Sequence, residues 1–217
     1  MKSMYKPLAI AVVTAAALSL TAGVASASGR GGSGQTWSNA NGSMMRGGGM
    51  MGRGLSGQAN AQRGAAGCTT SALPSGTLTD AQRADLVALT GEEKLAHDVY
   101  VTLAAKFPTL TQFARIANSE SMHINAMRSI LSKYGIADPT AGYAVGEFAN
   151  ATRVAQYKDL VAQATDTTSA LAVGVAIEKL DIADLTNLLK GLTAADVQQV
   201  LNNLQRASQM HLAAFQR

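Results

Sequence analysis

The 217-residue chain is poor in the residues that usually build reactive sites. Its single cysteine, Cys68, excludes an intramolecular disulfide framework, a four-cysteine zinc site and a protein-held iron–sulfur cluster. Any metal must then be held by histidine and carboxylate, and there are only three histidines. Acidic residues are missing from the whole of residues 1–79, which carry Lys2, Lys6, Arg30, Arg46, Arg53 and Arg63, whereas all 14 Asp and Glu lie between Asp80 and Asp196. The formal net charge of +4 is therefore no sign of a basic fold. Beyond residue 79, 12 Lys and Arg stand against 14 Asp and Glu, a net of −2, which argues against nucleic acid as a partner.

Composition divides the chain into three. Lys2 and Lys6 precede an apolar stretch from Leu8 to Val24, and Ala25-Ser26-Ala27 has the small-x-small pattern of a signal-peptidase site. Residues 1–27 are thus expected to be a cleaved signal peptide, leaving an exported protein, periplasmic or extracellular, with no stable membrane span. Residues 28–76 are rich in Gly, Ser and Met and bury too little to offset the entropy of ordering, so they read as a disordered linker. Met44, Met45, Met50 and Met51 offer soft thioethers for Cu(I), although low-complexity sequence without a ligand is the simpler account. Residues 77–217 are the expected folded domain.

That domain reads as all-α. Apolar residues recur in steps of three and four from Asp80 to Lys106, with Thr79 or Asp80 as cap and Pro108 as stop. A second helix is expected from Thr109 to Tyr134, ending at Gly135, then a loop with Pro139, Gly142 and Gly146. A short helix near Thr152 to Ala164 precedes a long one from Ser169 to Leu189, which Gly191 terminates. A last helix starts with Thr193 as its N-cap and Asp196 in its first turn. No period-two pattern suggests a strand. Four long helices and a short one are enough for a helical bundle with its own core.

The candidate chemistry lies on the long helices. Glu120 and His123 are three residues apart, so both project from one helix face and can reach the same or adjacent metal ions. Glu178 interrupts an apolar run and Asp181 follows one turn later; the alternative is an exposed acidic stripe paired with Lys179 and continued by Asp184. Glu93 and Tyr100 share a face two turns apart, where the phenol can hydrogen-bond a carboxylate. Glu92 reads as a solvated neighbour and His97 as a surface or supporting residue. His211, near Met210 and Phe215, is the third histidine, and its role depends on what it meets.

The segments EEKLAHDVY, SESMHINAM, VGVAIEKLDIADL and SQMHLAAF, in that order, resemble the bacterial ferritin-like domains gathered as domain-of-unknown-function family 2202, within the rubrerythrin/ferritin-like superfamily. The resemblance covers residues from about 78 to 217. It implies a ferritin-like four-helix bundle with a short extra helix, holding metal, most simply a di-iron pair, between its helices. Manganese and zinc suit the same donors. Glu93, Glu120 and Glu178 would bind through oxygen, His123 and His211 through nitrogen, with Asp181 as a replacement ligand and Tyr100 orienting a carboxylate. The replacement is needed because a second Glu-x-x-His pair would put glutamate at position 208, where this chain has Ser208. The implied activity is an oxidoreductase acting on peroxide or dioxygen, with an external reductant because no rubredoxin-type cysteines are present. Two alternatives stay open: a metal-binding or storage module without turnover, and a metal-free helical interaction domain of the cell envelope. A homodimer is compatible with each.

Overall fold

The structure, a computed structural model, describes residues 73–217. The expected signal peptide, Cys68, the methionine pairs and nearly all of the Gly-rich linker lie outside the described residues. Five helices follow one another: α1 (Asp80–Lys106), α2 (Gln112–Lys133), α3 (Ala151–Gln163), α4 (Thr167–Leu189) and α5 (Ala195–Phe215). There is no strand among the described residues. Nor is any helix among them long and apolar enough to cross a membrane.

The helix starts are set by side chains that satisfy free backbone amides. Thr79 and Gln82 close a capping box on α1, Asp166 and Ser169 close another on α4, and the Asn150 side chain accepts from Thr152 N at α3. At the α2 terminus Gly135 takes φ +64°, a left-handed conformation that ends the helix at little cost. The expected helix starts shift by a few residues: α4 begins at Thr167, two residues before Ser169, because Asp166 caps it. α2 begins at Gln112 rather than Thr109, because residues 108–111 are spent on the turn after Pro108. Thr193 does not cap α5: Ala194 stands at that position without a side-chain bond. The first turn of α5 is instead held by Asp196, whose Oδ1 accepts from Val197 N at 3.0 Å and Tyr134 OH at 2.7 Å, with Lys133 Nζ 2.7 Å from Oδ2. An anion at a helix N-terminus is favourable in itself, and here it also ties α5 to the end of α2.

Five-residue links join α1 to α2 and α4 to α5, and each pair packs as an antiparallel hairpin. α2 packs on α5 and α1 on α4, which closes the ring in a way consistent with a four-helix bundle; α3 lies against α1 and α4. The apolar core comes in two layers. One holds Leu86 and Leu89 of α1, Met127, Ile130 and Leu131 of α2, Leu185 of α4, and Val197, Leu201 and Leu204 of α5. The other holds Val99, Tyr100 and Leu103, then Phe113 and Ile116, Ala170 and Val173, and Phe215. On every long helix the stretch between the layers carries the polar residues: Glu93; Glu120 and His123; Glu178 and Asp181; Ser208 and His211. The fold thus sandwiches a polar layer between two apolar ones.

Candidate metal centre

Glu93, Glu120, His123, Glu178, Ser208 and His211 are all buried, at 0–7% exposure. Buried carboxylates need partners, and these find histidines. His123 Nδ1 lies 2.8 Å from Glu120 Oε2 and 3.1 Å from Glu93 Oε2. His211 Nδ1 lies 2.9 Å from Glu120 Oε1 and 3.6 Å from Glu178 Oε1. Both imidazoles therefore aim Nδ1 at the carboxylates, and their rings stack with centroids 5.5 Å apart. On its other edge, His211 Nε2 meets Ser119 Oγ at 2.9 Å, a contact that fixes the ring orientation.

These residues form two sets, Glu93–Glu120–His123 and Glu120–Glu178–His211, in each of which one donor atom per residue lies within 4.8 Å of the others. Glu120 belongs to both, one oxygen to each histidine. Two buried atoms of these sets lack a hydrogen bond: Glu93 Oε1 has no partner, and His211 Nδ1, though close to Glu120, is poorly aligned with it. Orphaned buried donors and acceptors are costly. A cation would use both, so the residues fit a metal.

Burial dominates the electrostatics. It pushes the Glu93 carboxyl up to about 8, although His123 pulls it back. Burial also acts to raise Glu120, but His123 and His211 together outweigh it and hold that carboxyl well below the usual range. Desolvation would push the imidazoles down; Glu120 and Glu93 instead hold His123 well above its ordinary value, and Glu120 and Glu178 hold His211 at about 9. Burial raises Glu178, and raises Asp181 with help from the charge on Glu93. Protons on the two histidines thus supply the positive charge that this carboxylate layer needs.

A cavity of about 490 Å³ opens onto the layer from the side of α1, α3 and α4, with Glu93, Glu120, Glu178 and Asp181 at its floor. Its outer wall is the loop between α2 and α3, which a buried charge cluster holds down. Lys94 pairs with Asp98, donates to Ala144 O at 2.9 Å and sits 4.5 Å above the Phe148 ring, while Gly146 N donates to Asp98 Oδ2 at 2.9 Å.

The structure brings five of the six expected ligands, Glu93, Glu120, His123, Glu178 and His211, into the two sets. Asp181 lies beside them, only partly buried by side-chain exposure, and accepts from Ser208 Oγ. Tyr100 donates to Glu178 Oε1 at 2.7 Å. His97 stays apart, half-buried against Asp98 Oδ1 at 2.8 Å. Glu92 and Asp184, expected as solvated, are half-buried at the cavity rim because α3 covers them; Arg153 of α3 pairs with Glu92 at 2.8 Å, and burial raises Asp184 to about 6. Sequence reasoning did not find Ser119, Lys94, Asp98 or Arg153. Only Ser119 left a local trace, four residues before His123 on the same helix face.

Known proteins provide a family for this geometry. The chain is 38% identical over 148 residues to the uncharacterized protein MJ0754 of Methanocaldococcus jannaschii, spanning 68% of this chain and 80% of that one. The crystal structure of the hypothetical protein MJ0754 superimposes with a TM-score of 0.64 over 67% of this chain and 83% of that chain. Residues 82–217, well over half of the chain, match the family described as Uncharacterized protein domain (DUF2202), and this protein belongs to that family.

Proposed function

We propose that the bundle is a ferritin-like metal protein that holds a pair of metal ions, most simply iron, and acts as an oxidoreductase on peroxide or dioxygen. The observation that carries this reading is the position of Glu120, shared by the two ligand sets with one oxygen toward each. Support comes also from the helix order, with α1 and α5 running one way and α2 and α4 the other, the arrangement of a bundle with one long crossover.

Glu93 and His123 would hold one ion and Glu178 and His211 the other, with Glu120 bridging. When bound, a redox-active pair supplies electrons to the oxidant, and an external donor must restore them. The protein's part is positional. Tyr100 keeps one Glu178 oxygen engaged, Ser119 fixes the His211 ring, and the apolar layers above and below confine the donors to one level of the bundle. Asp181, held by Ser208, is the carboxylate left over for a replacement ligand.

Metal analysis of the Glu120→Gln and Glu93→Gln variants tests the arrangement. Losing the bridge should abolish binding of both ions, whereas Glu93→Gln should spare the Glu178–His211 side. Equal metal content in wild type and Glu120→Gln would sink the proposal. A second reading, binding or storage without turnover, is favoured by Ser208, because one carboxylate of the usual set is missing. Peroxide consumption by the iron-loaded protein separates the two.

A further inference from the structure

The cavity over the carboxylates is far larger than a small oxidant requires. Its volume of about 490 Å³ falls in the range of organic-ligand sites, whereas one water molecule takes only about 30 Å³. Much of its wall is apolar, with Val87 and Leu95 of α1, Phe148 of the loop, Leu160 of α3, and Ile177 and Leu180 of α4, and Thr140, Asn150, Thr152 and Gln156 add neutral polar groups. The loop wall is built in advance, since Lys94, itself fixed by Asp98 and Ala144 O, sits over the Phe148 ring.

Charge narrows the occupant. Among the described residues, Arg153 is the one cationic side chain lining the cavity, and its guanidinium is already paired with Glu92 at 2.8 Å and donates to Ala88 O at 3.3 Å. Every other charged residue in the lining is acidic: Glu92, Glu93, Glu120, Glu178, Asp181 and Asp184. An anion would meet carboxylates without an available cation. The floor carboxylates are already engaged, Glu93 and Glu120 by His123, Glu120 also by His211, Glu178 by Tyr100 and Asp181 by Ser208, so an organic cation would have to break these contacts. We infer that the cavity binds an uncharged, mainly apolar organic molecule, its body against α1, α3 and α4 and one end over Glu93, Glu178 and Asp181. As the substrate site of a metal centre this rests on the function proposed above; as a binding pocket it rests on its walls alone.

The test uses the full chain and a neutral fluorescent probe, N-phenyl-1-naphthylamine, with metal-free and Zn(II)-loaded protein. Two variants fill the cavity from α1 without touching a ligand. At Gly91 an added Cβ would meet only Arg153 Nε, at 3.8 Å, and Ala88 lines the same wall one turn earlier. Leucine is a good helix former, so Gly91→Leu and Ala88→Leu should both keep α1 intact. The wild type should show saturable enhancement at one site per chain. Each variant should bind the probe about tenfold or more weakly, with its Zn content unchanged. Unsaturable enhancement, or unaltered binding in both variants, would overturn the inference. Zn uptake without probe binding removes the pocket and leaves the metal centre; probe binding without Zn uptake does the reverse.

Discussion

Tyr100 donates to Glu178 Oε1 across 2.7 Å, and this bond joins the aromatic layer of the core to the carboxylate layer. The ring packs against Phe215 and Phe113, with centroids 5.2 and 5.9 Å away. Burial, and then the negative charge of Glu178, push the phenol well above its ordinary value, so it remains a donor. Tyr100→Phe keeps the ring packing and removes only the bond. The expected cost is about 1–2 kcal/mol in chemical denaturation of the metal-free protein. Affinity at the Glu178–His211 side should fall roughly tenfold, with the Glu93–His123 side little altered.

Metal uptake should release protons. His123 is held well above its ordinary value and His211 at about 9, and Glu93 is raised to about 8, so at neutral pH all three carry protons where a metal would bind. A metal ion competes with those protons, so apparent affinity should rise as pH increases from neutral through about 8 and 9, where Glu93 and His211 lose theirs. Zn(II) titrations against a chromophoric competitor at several pH values, with calorimetry in buffers of different ionisation heat, read both quantities. An affinity flat from neutral to alkaline pH would mean that the histidines and Glu93 are not displaced.

The helices and the polar layer were legible because both depend on local spacing. Glu120 and His123 share a face by helical geometry alone, and scarce carboxylates inside apolar runs stand out. What sequence did not disclose was set by segments distant in the chain. Nothing in the local spacing of Lys94 and Asp98 marks them as buried, yet the loop carrying Ala144 and Gly146, about fifty residues on, covers them. Glu92 and Asp184 read as solvated until α3 brings Arg153 against them. The Thr193 cap failed for a related reason: Asp196 finds Lys133 and Tyr134 on another helix, so the start of α5 is secured by tertiary contacts.

The Lys94–Asp98 pair is predicted to matter through its members' dependence on each other. Both are at least 95% buried, and the pair anchors the loop that walls the cavity. Lys94→Met leaves Asp98 facing apolar surroundings, with only Gly146 N and His97 as remaining partners. Breaking one side of such a pair should cost about 3–5 kcal/mol in urea denaturation. The double variant Lys94→Met/Asp98→Leu should cost clearly less than the two single losses combined. Additive losses would show that the loop contacts, not the paired charges, carry the stability.

Two helical glycines should respond to alanine with opposite signs. At Gly91 on α1 the nearest atom to an added Cβ is Arg153 Nε at 3.8 Å, an ordinary contact, so Gly91→Ala should gain about 0.5–1 kcal/mol from reduced backbone entropy. At Gly174 on α4 the same Cβ would lie 2.8 Å from the Phe215 ring. That ring cannot easily yield, because Tyr100 and Phe113 hold it with centroids 5.2 and 5.0 Å away. Overpacking of about 1–3 kcal/mol should exceed the gain in helix propensity, so Gly174→Ala is destabilising. Thermal unfolding should show Gly91→Ala raised and Gly174→Ala lowered, by shifts of about 2–4 °C per kcal/mol. A rise in both would mean that α4 and α5 can move apart there, and that the close approach at Gly174 does not set the spacing that brings His211 to Glu178.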